Sequence, residues 1–385
     1  MTVDRVLPTP EAHDLLDLVR ELAAKEVAPR AAADEAAGRF PRDLFTLLGS
    51  SGLLGLPYPE EYGGAGQPYE VYLQVVEELA GAWLAVGLGV SVHTLSCFPV
   101  SAYGDAAQRA ELLPSLIGGE LLGAYCLSEP QSGSDAAALS TRAVPDADGY
   151  RVDGVKAWIT HGGVADFYTL MARTSGDGPR GVSCFHVPAG LEGLSFGTPE
   201  RKMGMRSSPT AQVRFDGVRL PLHGSLIGSE GDGFRIALAA LDGGRLGIAA
   251  CAVGVAQAAF DVASAYARER RQFGVRLVDH QGVAFMLADM ATSIAAARAL
   301  YLEAARLRDA GRPYGTKAAM AKLLASDMCM KVTTDAVQVL GGYGYVEDFP
   351  VERHMREAKV LQIVEGTNQI QRLVIGRTIA KDDRS

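Results

Sequence analysis

At 385 residues the chain exceeds one ordinary core and suggests two or three domains. Its 48% hydrophobic and 21% charged residues can enclose a sizeable interior. A net charge of −8 excludes a broad phosphate-binding surface for nucleic acid but allows a local basic patch for one anionic ligand.

From Pro10 to about Gly119 the pattern is helical. EAHDLLDLVRELAAKEV repeats apolar residues at Leu15, Leu16, Val19, Leu22 and Val27, close to one face of a helix. Pro41, the Gly-rich EYGGAGQP (61–68) and Pro114 punctuate this region. Between about Glu120 and Gly228 the texture becomes strand-like. YRVDGVKAWIT, DFYTLMAR and AQVRFDGVRL are separated by Asp148-Gly149, Gly176-Asp177-Gly178 and Asp216-Gly217, which suggests a compact antiparallel domain. From about Gly233 the helical period returns in Ala-rich segments at 233–272, 279–309 and 313–340, the pattern of antiparallel helices in a bundle. The expected fold is therefore α+β and multidomain. It has an N-terminal helical domain (1–119), a middle antiparallel, β-barrel-like domain (120–228) and a C-terminal four-helix bundle (229–385).

The N-terminal MTVDRVLPTP has no apolar signal region, and no later stretch holds ~18 uninterrupted apolar residues, so neither a membrane span nor export is expected. The five cysteines (Cys97, Cys126, Cys184, Cys251, Cys329) lack CxxC or Cys/His ligand spacing. That pattern points to reduced thiols, no metal and a cytoplasmic setting.

The common nucleotide and hydrolase signatures are missing: no G-x-G-x-x-G after a strand, no P-loop, no H-E-x-x-H and no G-x-S-x-G. What remains is a set of polar, Gly-bearing stretches in apolar surroundings. AYCLSEPQSGSDAAAL (124–139) runs a strand into a turn rich in hydroxyls and free N–H groups, suited to an anion or a ring edge, although a lone S-G-S-D also reads as a surface turn. In KAWITHGG (156–163), Trp158 offers a flat face beside the Thr160 hydroxyl, while a single strand tryptophan is ordinarily core. RERRQFG (268–274) with DHQG (279–282) puts basic residues at a helix end, where a solvated terminus would serve equally. QVLGGYGY (338–345) pairs glycines at a helix end, which allows close backbone approach or a simple C-cap. QIVEGTNQIQRL (362–373) holds one carboxylate, Glu365, beside Ile363, Val364 and Gly366, with Thr367 as a prospective N-cap.

Together these stretches resemble the acyl-CoA dehydrogenase family, in the same order and at similar spacing over nearly the whole chain. The resemblance implies FAD held between the β domain and the C-terminal bundle. Tyr125, Leu127 and Ser128 would line the isoalloxazine edge, with Trp158, Ile159 and Thr160 approaching from the other strand and Ser134 between flavin and thioester. Arg270, Gln272, His280, Gln281, Gln338, Gly341 and Gly342 would bind pyrophosphate and adenine. In the family several of these reach the flavin of a neighbouring subunit, which implies a dimer or a homotetramer built as a dimer of dimers. Thr367 and Gln369 would complete the nucleotide site, and Asp242, Arg245 and Arg377 would face CoA. Glu365 matches the catalytic base, which takes the α-proton of an acyl-CoA thioester while the β-hydride goes to flavin N5. Donors for the enolate oxygen would be a backbone N–H of the Glu365/Gly366 turn and a ribityl hydroxyl. The product would be a trans-2-enoyl-CoA and the electron acceptor an electron-transfer flavoprotein.

Some positions depart from the family pattern. His161 stands where many relatives have Asn, and Gln131-Ser132 replaces a frequent Gly-Ala. Val364 replaces a bulky residue before the base, which suggests room for branched or ring-bearing acyl groups. Gly244 stands where a minority of relatives carry the base, so a second carboxylate there is excluded. Two other readings remain: a flavin oxidase or monooxygenase on the same fold, and a non-catalytic acyl-CoA-binding subunit.

Overall fold

The computed structural model describes Val3 and residues 5–382. The chain opens with six helices, α1 (Pro10–Leu22), α2 (Ala28–Ala37), α3 (Arg42–Ser50), α4 (Tyr69–Ala82), α5 (Leu84–Tyr103) and α6 (Ala106–Ile117). Local chemistry sets their limits. Thr9 Oγ1 caps α1 through the Ala12 N–H, with Pro10 at the first helical position. The expected single helix over 11–27 is interrupted by a π-helical stretch, Ala23–Val27. Trp83 adopts extended backbone and separates α4 from α5. Asp105 and Gln108 form a reciprocal capping box at the start of α6.

The middle region comprises β1 (Gly123–Cys126), β2 (Arg142–Asp146), β3 (Gly149–Thr160), β4 (Phe167–Arg173), β5 (Val182–Pro188), β6 (Leu194–Phe196), β7 (Thr210–Pro221), one helical turn α7 (Leu222–Ser225) and β8 (Leu226–Ile227). These strands form one sheet ordered β6-β7-β3-β2-β4-β5-β8, with β1 added to β4. Pairing is antiparallel apart from β1 on β4 and a single-residue parallel contact of β2 with β4, a departure from the fully antiparallel expectation. The longest pair, β3 with β7, is broken by two register shifts, at Val152/Gly154 and at Lys156/Ile159.

The C-terminal region begins with α8 (Gly233–Glu269), 37 residues long. A short hairpin follows, β9 (Arg271–Gln272) with β10 (Val275–Arg276), where the sequence suggested only a loop. Then come α9 (Gln281–Asp309), α10 (Gly315–Leu340), α11 (Val351–Leu361) and α12 (Asn368–Asp382). The α+β architecture with helical, β and helical regions is as expected.

Three apolar clusters hold the regions together. The largest joins α1–α5 to α8–α11, the second fills the inside of the sheet, and the third lies between the sheet, α5, α6 and the first turns of α8. Small residues let α4 and α8 touch: a Cβ on Gly254 would lie 2.2 Å from the Glu77 carbonyl oxygen. The buried carboxylate of Glu77 is paired. Glu77 accepts from Arg5, Arg298 and the Tyr301 hydroxyl, tying the N-terminal segment to α4 and α9. All five cysteines are buried and unpaired. Contrary to the reading from uninterrupted apolar runs, Leu84–Tyr103, Gly233–Glu269 and Gln281–Asp309 are long and apolar enough, by length and composition, to cross a membrane. The most apolar stretches of the first two are 89% and 78% buried inside the protein, whereas that of α9 is only 22% buried.

Candidate active site

Glu365 lies in the turn between α11 and α12 at φ +56°, a left-handed conformation in which non-glycine residues are strained, and Gly366 follows at φ +88°. The turn is held from behind. Gln371 Nε2 donates to the carbonyl oxygens of Glu365 (3.2 Å) and Gly366 (2.8 Å), and Lys322 Nζ donates to that of Gly366 (3.0 Å). Thr367 caps α12 through the Ile370 N–H, as its sequence position suggested. With both carbonyls engaged on the α10/α12 side, the Glu365 N–H has no protein acceptor among the described residues.

The Glu365 carboxyl packs against bare backbone of α8: a Cβ on Gly244 would come within 2.3 Å of Oε2. Although the residue as a whole is half-buried, Oε2 is shut off from solvent and unpartnered. Burial, opposed by the nearby Arg245 and Lys322 charges, pushes the carboxyl up to about 7. Three further buried polar atoms with no partner belong to residues that face or bond this turn: Tyr125 Oη, Arg245 Nε and Gln371 Oε1. Orphaned buried groups are rare in folded proteins, and four of them belong to Glu365 and its neighbours.

A cavity of about 20 Å³ adjoins Gly243 and Gly244, lined also by Tyr58, Tyr69, Ser91, Thr94, Leu95, Phe98 and Ala240. Its wall is fixed: Tyr69 donates to the Gly243 carbonyl at 3.1 Å and Tyr58 to that of Thr94. Arg308 stacks on the Tyr69 ring at 3.3 Å. Asp242 and Arg245, on either side of Gly244 in sequence, pair with each other at 2.5 Å, with Arg245 buried.

On the sheet, Trp158 is 64% exposed at φ +63°, which overturns the reading of a strand tryptophan as core. The register shift around it turns the indole outward, while the neighbouring Ile159 side chain packs into the sheet core. Beneath it Lys156 and Glu129, both buried, pair at 2.8 Å. Lys156 also reaches the Leu127 carbonyl, and Glu129 gathers the N–H groups of Ser140 and Thr141. The Ala157 N–H donates to the Ser128 carbonyl at 2.9 Å. Thus Leu127, Ser128 and the exposed Ser134 loop are tied to the Trp158–Thr160 strand. His161, buried, bonds the Gly123 carbonyl through Nδ1 and packs on Phe40 and Phe45, a docking contact for the N-terminal helices.

Arg270, Gln272, Gly341 and Gly342 meet in a separate cleft of about 580 Å³, with Tyr266, Tyr343 and Asp348. His280 adjoins it through the Gln272 carbonyl at 3.2 Å. Neither Trp158 nor Tyr125 lines this cleft. Gln281, Gln338, Gln369 and Arg377 are exposed and have no side-chain contact that places them at either site. Sequence reasoning passed over Lys322, Asn368, Gln371 and Phe273. Lys322 lies in no quoted stretch and carries no motif signal, whereas Asn368 and Gln371 lay within QIVEGTNQIQRL and Phe273, 95% exposed at φ +54°, within RRQFG, and all three were readable from their neighbours.

Family models described as acyl-CoA dehydrogenase N-terminal, middle and C-terminal domains match residues 9–120, 124–218 and 231–380. The chain belongs to the acyl-CoA dehydrogenase family, whose members are flavoprotein oxidoreductases. It is 45% identical to an acyl-CoA dehydrogenase of Bacillus subtilis (strain 168), over 96% of this chain and 98% of that protein. It superposes on butyryl-CoA dehydrogenase from Megasphaera elsdenii with a TM-score of 0.95 at 41% identity, covering 98% of this chain and 100% of that one. A chain in the structure of the electron transferring flavoprotein of Acidaminococcus fermentans matches at TM-score 0.95 and 42% identity, covering 98% and 99%.

Proposed function

We propose that the protein oxidises an acyl-CoA thioester to the trans-2-enoyl-CoA, with Glu365 as base, FAD as cofactor and an electron-transfer flavoprotein as acceptor. The observation that carries this reading is the Glu365 carboxyl, its Oε2 unpartnered, held at about 7 by burial and packed against Gly244, which lines the Tyr58/Phe98 cavity. A base for a weakly acidic α-C–H works best with a proton affinity near neutral. The Glu365 N–H is free to donate to the thioester oxygen as negative charge develops there, an interaction worth about 3 kcal/mol. Asp242 and Arg245 stand on the α8 side of the carboxyl, where Arg245 offers an unused N–H to an incoming polar chain.

The residues present suit a flavin. Trp158 supplies an exposed aromatic face, Tyr125 an orphaned hydroxyl, and the Leu127–Ser128 edge is fixed to the Trp158 strand. When bound, FAD supplies the two-electron acceptor for the β-hydride. Arg270, Gln272, His280, Gly341 and Gly342 form a cleft fit for the phosphate and adenine end. That cleft excludes Tyr125 and Trp158, so the nucleotide site is completed between subunits, and the exposed apolar face of α9 favours a homo-oligomer, a dimer of dimers. Electron transfer to a second flavoprotein is supported by the Acidaminococcus neighbour, and a short acyl group by the Megasphaera neighbour together with the small cavity.

Anaerobic bleaching of the flavin by a panel of thioesters tests the reading. Butyryl-CoA and isobutyryl-CoA are expected to bleach it fastest, octanoyl-CoA far more slowly, and reoxidation in air is expected to be slow. Fast reoxidation in air would favour an oxidase, and a colourless purified protein a binding subunit.

A further inference from the structure

Resting on the reading of Glu365 as base, the search for what holds that base leads to α10. Lys322 is a fully buried lysine, and no carboxylate lies within ion-pair distance of its ammonium among the described residues. Its hydrogen bonds run to the Gly366 carbonyl (3.0 Å) and to Asn368 Oδ1 (2.8 Å). Asn368 passes the contact on, its Nδ2 donating to Ser326 Oγ (2.9 Å) and to Asp327 Oδ1 (2.6 Å). A cation in such a place is costly unless its donors are used, and here they are used on the turn that carries Glu365.

We propose that Lys322 is a positioning residue for the base. Clamped on the Gly366 carbonyl, its ammonium holds the left-handed Glu365–Gly366 turn so that the Glu365 N–H faces the substrate, and its charge favours the carboxylate form of Glu365. Gln371 is the neutral half of the same clamp, gripping both carbonyls without contributing charge.

The charged and titratable groups that face Glu365 come from every packed element. Arg245, with its partner Asp242, and the Cys251 thiol lie on α8, Lys322 with Asp327 on α10, Tyr69 on α4 and Tyr125 on β1. Arg245 is ion-paired with Asp242 at 2.5 Å, whereas among the described residues Lys322 has no ion-pair partner and is linked to Asp327 through Asn368. Removing the Lys322 charge therefore leaves a less compensated carboxylate, and the titration of Glu365 moves upward.

The test is pH-difference infrared spectroscopy of substrate-free holoenzyme. The C=O stretch of the protonated Glu365 carboxyl is assigned as the band lost in E365Q. K322M is expected to raise its midpoint by about one pH unit while the bound flavin stoichiometry stays unchanged. Q371M is expected to slow flavin reduction with the midpoint unmoved, and K322R to keep the wild-type midpoint. If K322M does not fold, K322Q carries the same loss of charge with a shorter, polar side chain and the same expected shift. In steady-state assays at pH 7, K322M is expected to lower kcat about fivefold from the deprotonated fraction alone, with KM little changed. A midpoint in K322M or K322Q equal to wild type would overturn the proposal and leave Lys322 a space-filling residue. Failure of every acyl-CoA to bleach the wild-type flavin would instead strike the enzymatic reading, and the infrared midpoint would still decide the role of Lys322.

Discussion

A carboxyl that titrates near neutral inside a fold is a stability liability as well as a tool. In the unfolded chain Glu365 titrates near 4.5, and in the folded protein at about 7. The folded state thus binds the proton more tightly. Its benefit is complete below 4.5 and is lost as pH rises through about 7, above which the buried charge weighs fully against folding. The difference between 4.5 and about 7 corresponds to ~3 kcal/mol. Glu365→Gln should therefore raise the Tm of the ligand-free protein at pH 8 and leave it almost unchanged at pH 4, while abolishing flavin reduction by substrate. Reduction at an undiminished rate would remove Glu365 from its role. Gly244 gives the steric counterpart. A methyl at that position would meet Oε2 at 2.3 Å, so Gly244→Ala must push the carboxyl off α8. The expected outcome is an overpacking cost of about 1–3 kcal/mol, read by chemical denaturation, together with flavin reduction slowed more than tenfold at full FAD content. The placement of Glu365 was legible from EGTNQ and its apolar flank. The clamp behind it was not, because Lys322 and Glu365 are 43 positions apart in sequence and meet only through helix packing.

At the scale of elements, the bulged end of β3 carries the exposed Trp158, the proposed flavin side of the site. KAWIT was readable as a strand, and alternation alone would place the side chains of Lys156, Trp158 and Thr160 on one face. The register shift between Lys156 and Ile159 breaks that alternation, turning Lys156 inward and Trp158 outward. A strand pattern cannot announce a bulge beside which a buried lysine pairs with a loop 27 residues earlier. Burial works against the charge on both partners. Even so, Lys156 and the Ser140 and Thr141 donors pull Glu129 down to about 2, whereas desolvation outweighs Glu129 at Lys156 and lowers it. The contribution of Glu129 to stability is present above its unfolded value near 4.5 and disappears as pH falls through about 2. Lys156→Met leaves that carboxylate buried without its cation and should cost about 3–5 kcal/mol in urea denaturation. Adding Glu129→Leu should recover part of the loss. FAD content should nevertheless stay low in both variants, because the Leu127 carbonyl loses its donor and the Ser128 edge its register. Full flavin content in the double variant would detach this pair from the flavin site.

On the scale of the whole molecule, the division into helical, β and helical regions was written in periodicity and turn residues, and the five motif stretches fall where three apolar clusters meet or at helix ends. Periodicity could not show that the motifs divide between two places on one chain. Tyr125 faces Glu365 beside α8 and Trp158 lies exposed on the sheet, whereas Arg270, Gln272, Gly341 and Gly342 line a cleft of their own. Beside that cleft the hairpin turn holds Phe273 almost wholly in solvent in a left-handed conformation, and Tyr345 is nearly as exposed. Large exposed apolar groups in strained backbone are costly to an isolated chain, and the outer face of α9 adds a further uncovered apolar surface. The proposed assembly would account for all three: in it a second subunit lays its Trp158 site against this cleft, so that one nucleotide spans both chains. It follows that FAD content and subunit association depend on the same residues. Arg270→Glu reverses the charge meant for the pyrophosphate, and Phe273→Ser removes the exposed ring, yet neither residue contacts Glu365 or its cavity. Both variants should fold, with a Tm unchanged in the flavin-free form. Both should also purify with much less FAD and show a lower mass in sedimentation equilibrium, shifting back towards the oligomer as FAD is added. Variants that lose FAD while the mass stays constant would place the whole nucleotide within one chain and dissolve the link between cofactor and assembly.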